Sequence, residues 1–243
     1  MVGSCEPFRA AAFDLDGTLI DTMPDLAVAV NLMLGSLGER QLPESRVRAL
    51  VGGGVEVLVQ RALAESLNGQ APHEAQSSAA LTLFGRLYSQ ALFKSSRIYS
   101  GVDRALRSLA EAGVSLCCVT NKSSRFALPL LELAGLSGLF AFTLCADRPQ
   151  DRKPSPQLLL SACSRLRISP AQLLYVGDSR VDIAAARAAG CRIVAVSYGY
   201  DTPELLENAR PDGIVDTLAD LPTLRLRSSA PDTELRWCST GAV

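Results

Sequence analysis

The chain has 243 residues, 48% hydrophobic and 20% charged, and 24 basic against 25 acidic side chains leave a net charge of −1. This composition excludes a disordered chain, and the even charge, with no basic cluster, argues against nucleic-acid or anionic-membrane partners. The length suits one domain, or one domain with a smaller insert, and a core of that size needs no disulfide or metal to fold.

The seven cysteines are odd in number and form no Cys-x-x-Cys pair, and the lone His73 has none nearby in sequence. They read as reduced, mostly buried thiols rather than zinc ligands; Cys117 and Cys118, adjacent in an apolar run, should face opposite ways along a strand. The first residues lack the regions of a signal peptide, and no run reaches the roughly 18 apolar residues of a membrane span. A cytoplasmic location is expected.

In chain order, the first apolar run is 8–13, followed by Asp14-Leu15-Asp16-Gly17-Thr18. Two acids at a strand end are costly unless a cation or solvent compensates them. A carboxylate there plus a backbone carbonyl suits Mg²⁺, and Gly17 would let the backbone approach a phosphate. The alternative is a plain Asp-Gly turn. From about residue 22 to 92 only helical patterns occur. Leu26, Val30, Met33 and Leu37 share one face; Val55, Leu58, Ala62 and Leu63 make a second stripe; Leu81, Phe84, Tyr88 and Leu92 make a third. Thr22 would cap the first helix, with Pro24 in its first turn. This segment reads as a helical bundle inserted after the first strand, with hinges near 20–22 and 95–101.

Further strand-length runs at 114–119, 139–144, 173–176 and 193–196 alternate with helical patterns at 123–133, 156–166 and 180–189. That alternation predicts a doubly wound, Rossmann-like parallel α/β sheet whose strands end on one edge. The core is expected over 1–20 and 96–226, the helical cap over 21–95, and a mobile tail containing Trp237 over 227–243.

Three more segments bear on chemistry. Thr120-Asn121 ends the second strand with a hydroxyl and an amide that could bind phosphate oxygens, or could cap the next helix. Lys153-Pro154-Ser155-Pro156 presents a lysine that could neutralise a phosphoryl group, or simply sit on the surface. Gly177-Asp178-Ser179-Arg180-Val181-Asp182 follows another strand. Asp178 could be an N-cap and Asp182 a solvated first-turn acid, but carboxylates converging on one sheet edge call for a metal.

These four pieces, in this order, resemble the four motifs of the haloacid dehalogenase superfamily, over about residues 9–224. The insert resembles the cap of its phosphoglycolate phosphatase-like branch, on Val51-Gly52-Gly53-Gly54-Val55-Glu56-Val57-Leu58 with Arg61-Ala62-Leu63, Tyr99-Ser100-Gly101-Val102 and Ser197-Tyr198-Gly199-Tyr200. The resemblance implies that Asp14 attacks phosphorus to give an aspartyl-phosphate and that Asp16 is the acid and then the base. It implies that Thr120 and Lys153 hold the phosphoryl group. Asp14, Asp178 and the Asp16 carbonyl would ligate Mg²⁺, with Asp182 supporting that shell or orienting Lys153. Gly17, Asn121, Gly53, Gly54 and Arg61 are the expected substrate contacts; Arg61 could equally be a solvated helix residue, and Gly53 and Gly54 a helix-start turn.

The expected partner is a small phosphorylated metabolite, 2-phosphoglycolate first. N-acetylmuramic acid 6-phosphate, pyrophosphate or a sugar phosphate are alternatives, and a sugar-phosphate mutase or a non-catalytic phosphate sensor are more remote ones. Asp16 argues against a dehalogenase, which attacks carbon and needs no acid for an alcohol leaving group.

Overall fold

The computed structural model describes residues 8–223, together with the strand segments Leu226–Arg227 and Glu234–Leu235, which pair antiparallel. Apart from that pair, the expected mobile tail and Trp237 lie outside the described residues, as do Cys5 and Cys238.

Six parallel strands form the main sheet: β1 (Ala10–Phe13), β4 (Ser115–Thr120), β5 (Phe142–Cys145), β6 (Leu173–Gly177), β7 (Arg192–Val196) and β8 (Gly213–Val215), in the spatial order β5-β4-β1-β6-β7-β8. The chain builds outward from β1 to β4 and β5, then crosses to β6 on the other side. The order therefore reverses at β1, and in such sheets ligands bind beyond the strand ends at the reversal.

Both sheet faces are covered, which is why the strands read as continuous apolar runs. Ala11, Phe13, Cys118, Leu174, Val176 and Val194 pack on one side, under α5 (Val102–Glu111) and α6 (Ser124–Leu133). Ala10, Ala12, Cys117, Tyr175 and Ile193 pack on the other, under α7 (Gln157–Leu166), α8 (Arg180–Ala189) and α9 (Pro203–Ala209). The adjacent Cys117 and Cys118 thus face opposite layers, and five described cysteines are free thiols. The run expected at 139–144 is displaced: Ser137–Leu139 forms a 3-10 turn, so the strand starts at Phe142.

Between β1 and β4 come four helices, α1 (Met23–Ser36), α2 (Glu44–Leu50), α3 (Val55–Ser66) and α4 (Glu74–Ala91). The three predicted stripes meet in one apolar cluster, where Leu26, Val30, Met33, Leu58, Ala62, Leu63, Phe84 and Tyr88 are buried and Leu37, Val55, Leu81 and Leu92 flank them. Phe126 of α6 joins this cluster from the sheet side. The segments expected as hinges include a short ribbon, β2 (Ile20–Asp21) antiparallel to β3 (Arg97–Ile98). The buried Asp25 carboxylate cross-ties it by accepting from Ser95 N (2.8 Å), Ser96 N (3.0 Å) and Ser96 Oγ (2.5 Å). Thr22 occupies the N-cap position of α1 with Pro24 in the first turn, but its hydroxyl makes no cap bond. It donates to Asp16 Oδ1 at 2.7 Å, so the expected cap is replaced by a tie to the site.

Candidate active site

β1 delivers Asp14 to the sheet edge, its N–H still bonded to Val176 O at 2.9 Å. The chain then turns tightly. Leu15 O accepts from Thr18, Leu19 and Ile20 N, and Gly17 N donates to Ile20 O at 2.9 Å. These turn bonds end on Leu15 and Ile20, so the Asp16 carbonyl accepts none of them. Gly17 has φ +83°, and a Cβ there would lie 2.3 Å from Asp178 Oδ2. Gly17, an expected substrate contact, bonds its amide inside the turn, and its missing side chain makes room for Asp178.

β6 delivers Asp178, 2% exposed, which accepts from Thr18 Oγ1 (3.1 Å) and Tyr200 N (2.7 Å). Ser179, not Asp178, caps α8, in a reciprocal pair with Asp182. Asp182 is fully buried, not solvated. Its Oδ1 takes bonds from Lys153 Nζ (2.7 Å) and the Tyr175 hydroxyl (2.9 Å), and its Oδ2 takes Ser179 N and Oγ. Lys153 is buried as well, with Nζ 2.7 Å from Asp182, 2.8 Å from Tyr175 Oη and 2.8 Å from Asp14 Oδ1. The Asp14 contact is an ion pair off the angle of a directed hydrogen bond, so Asp14 Oδ1 is buried without a donor aimed at it.

Oxygens of Asp14, Asp178 and Asp182 lie within 4.8 Å of one another. Burial, only partly offset by Lys153, raises the Asp14 carboxyl to about 6, with Asp182 and Asp16 adding to the rise. Burial, then Asp182 and Asp14, push Asp178 well above the carboxylate range. Burial works against the Lys153 ammonium, yet Asp14 and Asp182 hold its pKa above the usual value. Three buried acids with oxygens this close, two of them paired with Lys153, could hold a divalent cation. Asp182 is saturated, whereas Asp14, Asp178 and the Asp16 carbonyl keep free lone pairs, a hard-oxygen set that fits such an ion.

A cavity of about 610 Å³ opens between this edge and the helices. Asp14, Asp16, Thr120, Asn121, Lys153, Asp178 and Asp182 line it from the sheet side, and Gly53, Gly54 and Arg61 from the helical side. Gly17 is the one predicted site residue that does not line it. Thr120 is buried, and its Oγ1 accepts from Lys122 N at 3.2 Å. Asn121, expected to hold phosphate oxygens, engages its side-chain amide within the protein. Its Oδ1 accepts from Lys153 N (2.7 Å), and its Nδ2 donates to Lys153 O (3.1 Å) and Gly52 O (2.9 Å). Asn121 is a strut joining the helical turn to the lysine loop, with no side-chain donor left over. Gly54, at the N-cap position of α3 with φ +88°, packs against Arg152, which pairs with Glu56. Arg61 is exposed at the cavity wall.

The roles of several residues were not foreseen. Lys122 Nζ holds both Asp16 oxygens (2.9 and 3.0 Å) and Tyr88 Oη (2.8 Å). Arg48 lines the cavity, 5.2 Å over the Tyr200 ring. The loop after β7 pins the turn that follows β1: Tyr198 Oη donates to Thr18 O at 2.8 Å, and Tyr200 Oη accepts from Thr22 N at 3.0 Å. Gly199 lets this loop close, since a Cβ there would lie 2.1 Å from Asp178 Cβ. The only signal for these in the sequence was Tyr198-Gly199-Tyr200 after a strand and a lysine beside Asn121.

A parallel sheet with paired aspartates beyond its central strand and a buried lysine beside them defines an aspartate-centred hydrolase fold. The pattern of the haloacid dehalogenase-like hydrolases matches residues 11–196, and the chain belongs to that family. Phosphoglycolate phosphatase of Nitrosospira multiformis is 41% identical over 92% of this chain and 98% of its own. Phosphoglycolate phosphatase 1 of Pseudomonas aeruginosa is 40% identical over 90% and 83%. A crystal structure of a predicted phosphoglycolate phosphatase from Haemophilus somnus superposes with a TM-score of 0.84 at 35% identity, covering 88% of this chain and 96% of that one. Within the family the chain falls in the phosphoglycolate phosphatase-like branch, and it is an enzyme of the phosphoric monoester hydrolase class.

Proposed function

We propose that this enzyme is a Mg²⁺-dependent phosphatase that works through an aspartyl-phosphate on Asp14, with 2-phosphoglycolate as its substrate. The observation that carries this reading is the trio of Asp14, Asp16 and Lys153 at one cavity wall, with Lys153 Nζ 2.8 Å from the Asp14 carboxylate.

In the first half, an Asp14 oxygen attacks phosphorus, the phosphorus–ester oxygen bond breaks, and Asp16 gives a proton to the leaving alkoxide. In the second, Asp16 takes a proton from water, the water oxygen attacks the phosphorus of aspartyl-phosphate, and Asp14 is released with inorganic phosphate. Lys153 and Thr120 hold the phosphoryl oxygens, and Asp182 keeps Lys153 aimed at them. Mg²⁺, held by Asp14, Asp178 and the Asp16 carbonyl, would neutralise charge on the transferring group. The helices of 21–95 act as a cap over a core of 1–20 and 96–226, with the ribbon of β2 and β3 as the hinge.

The substrate assignment draws support from the names of the relatives and from the cations of the cap. Arg48, Arg61 and the amino end of α3 line the cavity where the carboxylate of 2-phosphoglycolate would sit. The cavity volume is in the roughly 300–1,000 Å³ range of larger ligands, which favours a sugar phosphate as the second reading. Five free thiols suit a reducing cytoplasm, and among the described residues no helix is long and apolar enough to cross a membrane.

The test is a panel of 2-phosphoglycolate, N-acetylmuramic acid 6-phosphate, pyrophosphate and glucose phosphates, each with Mg²⁺ and with EDTA. Mg²⁺-dependent release with the highest kcat/KM on 2-phosphoglycolate is expected. A higher value elsewhere reassigns the substrate; no Mg²⁺-dependent release from folded protein overturns the mechanism.

A further inference from the structure

The proton-transfer residue Asp16 is held in an unusual way. Lys122, 4% exposed, spends two contacts on the Asp16 carboxylate and a third on Tyr88 Oη. Lys122 comes from the loop after β4 in the sheet domain, whereas Tyr88 lies on α4 in the helical insert. Tyr88 is fully buried, stacked on Phe84 at 5.4 Å and edge-on to Phe126 at 5.1 Å. It does not line the cavity, so it cannot touch a substrate there.

The two Asp16 oxygens are not equivalent. Oδ1 accepts from both Thr22 Oγ1 (2.7 Å) and Lys122 (2.9 Å), while Oδ2 accepts only from Lys122 (3.0 Å). A carboxylate held at both oxygens by one ammonium has a fixed plane, and Oδ2 keeps the free lone pair. The ammonium can keep that direction only while its own third contact is in place, and α4 supplies it.

We propose that Lys122 is a positioning residue for Asp16, seated by Tyr88 of the cap, so that Asp16 is aligned to take a proton from water only when α4 is docked. This rests on the reading of Asp16 as the base of the second half-reaction. It ties hydrolysis of the phosphoenzyme to the closed cap through three side chains, and it assigns Tyr88 a part in turnover without substrate contact.

A double-mutant cycle tests it, with steady-state hydrolysis of p-nitrophenyl phosphate as the readout. This leaving group needs little protonation, so the loss reports the water-activating half. Tyr88→Phe removes one hydroxyl and leaves every charge in place. It is expected to lower kcat about tenfold, as for one hydrogen bond to a charged group, with KM changed less than about twofold. Lys122→Met is expected to lower kcat about 100-fold. In an Asp16→Asn background Tyr88→Phe should cost less than about twofold, because a residue acting through Asp16 has nothing left to position.

If Tyr88→Phe is as costly in Asp16→Asn as in the native sequence, or raises KM with kcat unchanged, the positioning role is overturned. If Asp16→Asn alone retains full activity, the reading of Asp16 itself fails, which is a different result. Should Lys122→Met not fold, Tyr88→Phe carries the test alone.

Discussion

Asp14 is buried among charges that pull its carboxyl both ways: desolvation and two neighbouring acids favour the proton, and Lys153 favours its loss. Its proposed use as a nucleophile would depend on which side wins when a cation is bound. Asp14→Asn keeps the shape and removes the proposed nucleophile, so turnover of p-nitrophenyl phosphate should fall by about four orders of magnitude or more while the circular dichroism spectrum is unchanged. Retained turnover would refute the assignment. The acids Asp14, Asp16, Asp178 and Asp182 were legible because each lies in a short contiguous motif at a strand end. Lys122 and Tyr88 were not, because their partnership joins residues 34 apart on two different layers. Asn121 and Gly17 were legible as site residues, but the bonds that occupy the Asn121 side chain and the Gly17 amide were not, since no local pattern in the sequence names their partners.

At the scale of elements, the loop after β7 does as much for the site as the strands do. Tyr200 N bonds to Asp178, Tyr198 Oη bonds to Thr18 O, and Gly199 permits the approach. Gly199→Ala would place a methyl 2.1 Å from Asp178 Cβ, so loop or carboxylate must move. Overpacking of this kind costs about 1–3 kcal/mol, and the Mg²⁺ concentration for half-maximal activity should rise about tenfold. A Mg²⁺ titration beside a thermal melt checks both; unchanged titration would separate the loop from the proposed cation site. The main strands announced themselves because both faces are buried. β8, three residues long at the edge, carries too few residues for a period to register. The ribbon of β2 and β3 was equally silent: two residues on each side pair across a long insert, and no local pattern foretells that.

For the whole molecule, the carboxylate cluster should make stability depend on pH and, with the proposed Mg²⁺, on cation as well. The folded-state pKa of Asp14, about 6, lies above its ordinary 3.8, so between those values the native state keeps a proton that the unfolded chain has released. Metal-free protein should therefore lose stability as pH rises through this window, by up to about 3 kcal/mol from Asp14. Asp178 is raised by the same causes and acts with the same sign. If the proposed site holds, Mg²⁺ should stabilise more at pH 7 than at pH 5, because binding there would need both carboxylates ionised. Urea denaturation in EDTA and in Mg²⁺ from about pH 4 to 7 measures this. In Asp14→Asn the EDTA slope should shrink; a slope unchanged by the substitution would contradict the assignment.

The placement of Cys117 and Cys118 has a consequence of another kind. They are adjacent in the chain, fully buried, and sealed under different helical layers, with burial pushing the Cys117 thiol up to about 12 and Cys118 well above its usual range. Neither can be alkylated at neutral pH until its own roof lifts. Lifting of α7 and α8 bares Cys117, and lifting of α5 and α6 bares Cys118. Timed labelling with an alkylating reagent, read by peptide mass, would thus clock the two sides of the sheet independently. The enzyme carries, in two neighbouring residues, a pair of built-in stopwatches for how its layers come apart.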